Sequence, residues 1–164
     1  MLRRLIAGLL IVLSPLSALA DEPPYPKDMA LLRIVDTHGQ VLATLTLSDL
    51  EELPEREVEG SIPDTANSEA SWSGVSMKAL LESRAITLPA RLLAVGLDDY
   101  SDVIPRSDLE QYDPVVAYRR NRRYLSVDGY GPLVVMYPYS EHPELHERTY
   151  YSRTVWQLSE LRLQ

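Results

Sequence analysis

Trp72-Ser73-Gly74-Val75 runs into Ser76-Met77-Lys78-Ala79-Leu80-Leu81, and the second half of this stretch is the clearest helix in the chain. Ser76 is its expected N-cap, because a serine oxygen can accept an amide hydrogen that the first helical turn leaves without a partner. Met77, Leu80 and Leu81 then fall on one apolar face, which continues as far as Arg84.

Outward from this helix the chain reads mostly as strands. Leu31 to Val35 and Val41 to Leu45 flank the turn Asp36-Thr37-His38-Gly39, where Gly39 is free to take a positive φ. Ser48 is the expected cap of a short helix, Asp49 to Leu53, that Pro54 stops. Arg56 to Glu59 alternates like a strand, and Ser61 to Ser71 has the Pro, Asp, Asn and Ser content of a loop. On the other side, Leu92 to Leu97 and Ser101 to Ile104 form a hairpin around Asp98-Asp99. Pro105 opens a polar helical turn, Arg106 to Gln111. Val115 to Tyr118, Leu133 to Tyr137 and the closing Thr154 to Leu163 complete the strands. Strands outnumber short, scattered helices, which predicts an α+β or mostly-β domain with small helices covering its ends.

The first twenty residues differ from the rest. Arg3 and Arg4 precede an apolar run, Leu5 to Leu13, and Ala18-Leu19-Ala20 has the small-x-small form that a signal peptidase accepts. The run is shorter than the roughly 20 residues a spanning helix needs. The expectation is an exported protein, cleaved after Ala20 into a soluble periplasmic domain, residues 21–164, that does not insert in the membrane. Loss of the two arginines, with no acidic residue among the first twenty, takes the formal charge from −8 to −10. Such an acidic chain is unsuited to nucleic acid or anionic lipid as its main partner. Cysteine is absent, so the domain must rely on its core alone and offers no thiolate as nucleophile or metal ligand. Phenylalanine is also absent, while eight of the ten tyrosines lie between Tyr112 and Tyr151. Tyrosine suits the wall of a pocket for a flat polar ligand, but core filling in place of phenylalanine is the preferred reading at most of these positions.

Familiar catalytic patterns are missing. His142 and His146, four apart with Glu144 and Glu147 nearby, suggest a zinc pair only if a helix carries both; Pro143 makes a solvated turn the better reading. His38 lies in a turn. Ser73 lacks the G-x-S-x-G setting of a hydrolase nucleophile, and no glycine-rich phosphate loop occurs. Arg119-Arg120-Asn121-Arg122-Arg123 reads as a polar hairpin, with docking of an acidic partner as its alternative.

Several blocks, in order, resemble the oxidoreductase molybdopterin-binding domain, the sulfite-oxidase fold. They are Leu45 to Glu51, Trp72 to Leu81, Asp99 to Pro105, Ala117-Tyr118, Gly131-Pro132-Leu133, Tyr137-Pro138 and Tyr150 to Leu158. The resemblance covers about residues 41–163 and implies a sulfite-oxidase-type mixed β domain with short covering helices. Catalytic members hold molybdenum through a cysteine before the Trp-x-Gly block, where Val58 to Ser71 has none. They also tend to place an arginine for the cofactor's phosphate where this chain has Val134, and a lysine where it has Trp156. The chain is similar instead to a small exported, cysteine-free branch, the PruR-like pterin-binding proteins.

That likeness implies a periplasmic sensor or adaptor without catalysis. It would bind a reduced pterin rather than molybdenum and engage the periplasmic region of an inner-membrane enzyme of cyclic di-GMP signalling. The matching blocks make Trp72 a candidate wall, with Tyr151, Tyr137 and Trp156 to stack or hydrogen-bond. Arg153 and Asp99, with Tyr100 beside it, are candidates for the pterin edge. Ser61 represents the Ser61-Ile62-Pro63-Asp64-Thr65 block that replaces the cysteine-bearing loop. Two alternatives remain: a molybdopterin-dependent oxidoreductase with atypical metal ligation, and an interaction module whose ancestral pocket has closed.

Overall fold

A computed structural model describes residues 21–62 and 69–164. The proposed leader, residues 1–20, lies outside them, as do Pro63, Asp64 and Thr65. Two sheets carry the domain. In chain order the elements are β1 (Ala30–Val35), β2 (Val41–Thr46), α1 (Leu47–Glu51), β3 (Glu55–Gly60), β4 (Ala70–Ser76), α2 (Met77–Ser83), β5 (Arg91–Gly96) and β6 (Ser101–Pro105). There follow α3 (Arg106–Gln111), β7 (Val115–Arg120), β8 (Arg123–Tyr124), β9 (Val134–Met136), a single 3-10 turn (Pro143–Leu145), α4 (Arg148–Ser152) and β10 (Leu158–Leu163). The first sheet runs β2-β1-β10-β5-β6; the second runs β3-β4-β7-β8, with β9 on β7. This is the expected α+β class, a mixed β domain with short covering helices. No helix of the described residues is long and apolar enough to cross a membrane.

The helix after Gly74 forms as its sequence requires. Ser76 Oγ accepts from the Ala79 amide at 3.2 Å and donates to Asp113 Oδ2 at 2.6 Å. Met77, Leu80 and Leu81 are fully buried. Gly74 is needed because β7 crosses there. A Cβ on it would overlap the Val116 carbonyl oxygen and lie 2.6 Å from Ala117 Cα.

Three local expectations are corrected. Thr46, not Ser48, caps the first helix. Its hydroxyl accepts from the Asp49 amide (3.2 Å) while Asp49 Oδ2 accepts from the Thr46 amide (2.8 Å), a reciprocal pair that satisfies two terminal donors. The expected loop to Ser71 ends earlier, since β4 begins at Ala70 to pair with Gly60. The closing strand begins at Leu158 rather than Thr154. Residues 154–157 instead bond to the 130–135 segment, with Val135 N donating to Val155 O and Gln157 N to Tyr130 O, and Gln157 sits at φ 49°. The turn expected at Pro143 is a single 3-10 turn, so His142 and His146 do not share a helical face. His142 meets Glu144 (3.2 Å) and His146 meets the Tyr139 carbonyl (3.1 Å).

The basic run is a hairpin, with Asn121 and Arg122 in the left-handed region. Arg119 lies against the rings of both Tyr118 and Tyr124 and bonds Glu51 (2.7 Å) and Glu55 (2.8 Å). Its charge is therefore used within the fold.

Candidate functional site

Three segments meet at one end of the first sheet: the β5–β6 turn, helix α4, and the irregular run 154–157. Between them lies an open cleft of about 590 Å³, lined by residues that include Asp98, Tyr100, Arg148, Tyr151, Trp156 and Gln157. That volume falls within the roughly 300–1,000 Å³ of small-molecule sites. Each wall has a local cause. Asp99, at φ 65°, turns the hairpin and brings Asp98 and Tyr100 together, so that the Tyr100 amide donates to Asp98 Oδ1 at 3.1 Å. The Tyr100 hydroxyl donates to the Ser152 carbonyl at 2.8 Å, which ties the turn to α4. Partial burial raises the Tyr100 phenol pKa above its usual value, and the Asp102 and Asp98 carboxylates add to the rise. Trp156 leans on Tyr130, ring centres 5.3 Å apart, and keeps an exposed face. Gln157 Nε2 donates to the Val127 carbonyl at 2.8 Å.

A second aromatic cluster stands beside the cleft and is closed. Asp108, buried in α3, accepts from Arg153 Nη1 (2.6 Å) and the Tyr137 hydroxyl (2.8 Å). Tyr112, Tyr137 and Tyr150 pack edge to face around this pair, and Arg153 lies 5.3 Å from the Tyr150 ring centre. Burial, then the adjacent Asp108 carboxylate, pushes the Tyr137 phenol well above its ordinary pKa. Contact with Tyr150, then burial, pushes Tyr112 up to about 12. Tyr139 joins the two regions: its hydroxyl donates to the Tyr150 carbonyl (3.1 Å) and shares a hydrogen bond with Thr154 (2.6 Å).

The sequence candidates thus divide. Tyr100, Tyr151 and Trp156 line the cleft together. Arg153 and Tyr137 belong to the closed cluster, where both serve Asp108. Trp72 is fully buried in the core, its indole N–H donating to the Gly60 carbonyl at 2.9 Å. Asp99 shapes the turn, and its neighbour Asp98 supplies the cleft's carboxylate. Ser61 lines a separate depression of about 300 Å³ with Tyr139 and His146, while Ile62 next to it reaches the main cleft. Asp98, Arg148 and Gln157 were not anticipated. Their signal was adjacency: each lies within or beside a quoted block, but only the turn geometry decides which neighbour faces the cavity.

Among the described residues, no group of three or more His, Asp or Glu side chains is arranged to hold a metal ion. Val134, which the resemblance sets against a phosphate-binding arginine, is fully buried in β9 and pairs with Ala117.

No protein-family model matches the chain. No curated protein matches it either. Among solved structures, it is similar to the crystal structure of the sulfane dehydrogenase SoxCD from Paracoccus pantotrophus. The TM-score is 0.64 at 15% sequence identity, over 88% of this chain and 40% of that one. The chain therefore spans about two fifths of the length of its match. At this identity the likeness concerns the fold alone.

Proposed function

We propose that this protein binds a reduced pterin in the 590 Å³ cleft without catalysis and serves as a periplasmic sensor or adaptor. Its partner in this reading is the periplasmic region of an inner-membrane enzyme of cyclic di-GMP signalling. The observation that carries the reading is an open cleft that combines aromatic walls with one carboxylate and one cation. A pterin is a flat bicycle whose amino-pyrimidinone edge presents N–H donors beside a carbonyl acceptor. Trp156, Tyr100 and Tyr151 offer planar apolar surface for its faces. Asp98 accepts one backbone N–H through Oδ1, which leaves Oδ2 for the ligand's donors. Arg148 and Gln157 supply donors for its carbonyl.

These residues fit a pterin better than a molybdenum cofactor. The chain has no cysteine to give a thiolate, and the buried Val134 gives no grip on a phosphate. Export with cleavage after Ala20, leaving a single domain over residues 21–164, belongs to the same proposal. Asp21, the first residue after that cut, accepts from the Tyr124 amide through Oδ2 at 2.6 Å, which would hold the new terminus to the fold.

The test is a thermal-shift and fluorescence titration of the purified protein against tetrahydro-, dihydro- and fully oxidised pterins. A reduced pterin at one hundred times its dissociation constant should stabilise the fold by about 2.7 kcal/mol. Stoichiometric molybdenum in the purified protein, or no shift with any pterin, overturns the proposal.

A further inference from the structure

Large apolar side chains are exposed at seven positions among the described residues, and they fall into two groups. Val41 and Leu42 lie on β2, the edge strand of the first sheet, and Met29 directly precedes β1. Leu97, Tyr100, Val127 and Trp156 lie at the cleft, and are 55%, 43%, 42% and 43% exposed. The second group is gathered by the fold and not by sequence, since its members come from three separate loops. Leu97 N donates to Gln157 O at 2.9 Å, and Gln157 Nε2 reaches back to Val127 O, which ties all three loops into one rim. Tyr100 and Trp156 belong both to this rim and to the cleft wall.

Aspartates predominate among the charged residues around the rim. Asp98, Asp99 and Asp102 occupy the β5–β6 hairpin, and Asp128 follows Val127, while Arg148 is the one cation among the described cleft residues. Exposed apolar side chains gathered in one place mark a contact surface more often than scattered ones do. Apolar residues bordered by aspartates are complementary to an apolar patch bordered by lysine or arginine. A second copy of this chain is a poor occupant, because a two-fold contact would set the aspartates against each other. An anionic membrane surface is repelled for the same reason.

We infer that the rim formed by Leu97, Tyr100, Val127 and Trp156 is the docking surface for a protein partner with a basic border around an apolar patch, so that the partner covers the mouth of the ligand cleft. The inference deepens the pterin reading, since a partner seated there would touch both the cleft wall and whatever fills it. Ligand and partner would then be linked through shared residues, each changing the affinity of the other by the same factor.

The experiment places a photo-crosslinking benzoylphenylalanine at position 97 or 127 of the full chain in its native cells, with position 42 as control. The adduct partner is then identified, purified and titrated. Expected is one protein captured from 97 and 127 but not from 42. It should bind the unmodified chain and lose at least tenfold in affinity with Leu97→Asp or Val127→Asp. Its binding should also weaken as salt rises from low to physiological concentration. An adduct between two copies of this chain, an adduct to lipid, equal capture from position 42, or full affinity in both aspartate variants overturns the inference. Leu97 and Val127 are exposed and lie outside the cleft lining, so both variants should keep the parent's melting temperature. Tetrahydrobiopterin, added to each titration, separates the two readings. If neither it nor any other pterin shifts the melting temperature while the aspartate variants still lose the partner, the pterin reading fails and this inference stands.

Discussion

The cleft and the tyrosine cluster beside it use similar side chains to opposite ends. In the cluster, Asp108 takes two hydrogen bonds from Arg153 and Tyr137, and the surrounding rings pack edge to face against one another. In the cleft, Tyr100 and Trp156 keep open faces, and Asp98 accepts a backbone hydrogen bond through one oxygen while it lines the cavity. An aromatic residue becomes wall or filler according to whether neighbouring segments converge on it or diverge around it. The 143–153 segment does both. Arg153 and Tyr150 fasten it to α3 on one side, while Arg148 and Tyr151 face the opening on the other.

Removing the carboxylate at the centre of the closed cluster should have the largest effect. Asp108→Ala leaves the largely buried Arg153 guanidinium and the Tyr137 hydroxyl without their acceptor. It should cost about 3–5 kcal/mol in a urea titration. A loss below about 1 kcal/mol would mean that the cluster is not the rigid half of the pair. At the junction of the two regions, Tyr139→Phe removes the hydrogen bonds to Thr154 and the Tyr150 carbonyl. A loss of about 1–3 kcal/mol is expected, accompanied by weaker ligand binding, because Thr154 lines the cleft.

Far from both, Thr46→Ala calibrates the scale. It breaks the cap of α1 and should cost about 1 kcal/mol at neutral pH. The Thr46 hydroxyl and then its amide hold the Asp49 carboxyl below its usual pKa. A depressed carboxylate contributes stability that is present above about pH 4, its unfolded value, and is lost as pH falls through the folded one. The difference between parent and Thr46→Ala should therefore shrink below about pH 4, as urea titrations at pH 7 and pH 3 would report. The smallest effect on stability belongs to the cleft. Trp156→Ala should stay within about 0.5–1 kcal/mol of the parent while lowering pterin affinity at least tenfold. A large loss of stability there would erase the contrast between the two regions.

The helix at Met77, the β1–β2 and β5–β6 hairpins and the turn at Arg106 were legible because each is set by contacts a few residues apart. Ser76 capping Ala79 is such a case. The Thr46 cap was missed because Ser48 is equally good by type, and only the end of β2 shows where the helix starts. At the site, Tyr100, Tyr151 and Trp156 were legible from their blocks. Arg153 was read toward the ligand because its partner, Asp108, is 45 residues away and carries no local mark.

From residues alone came the α+β class, the cysteine-free chemistry, the abundance of tyrosine and the acidic charge, all of which depend on composition and short-range periodicity. Tertiary structure alone decided that β10 lies between β1 and β5, that Asp98 and not Asp99 faces the cavity, and that four exposed apolar residues from three loops share one rim. Those are pairings between distant segments. Their energies exist only once the sheets have set the distances, and no window along the chain contains both partners.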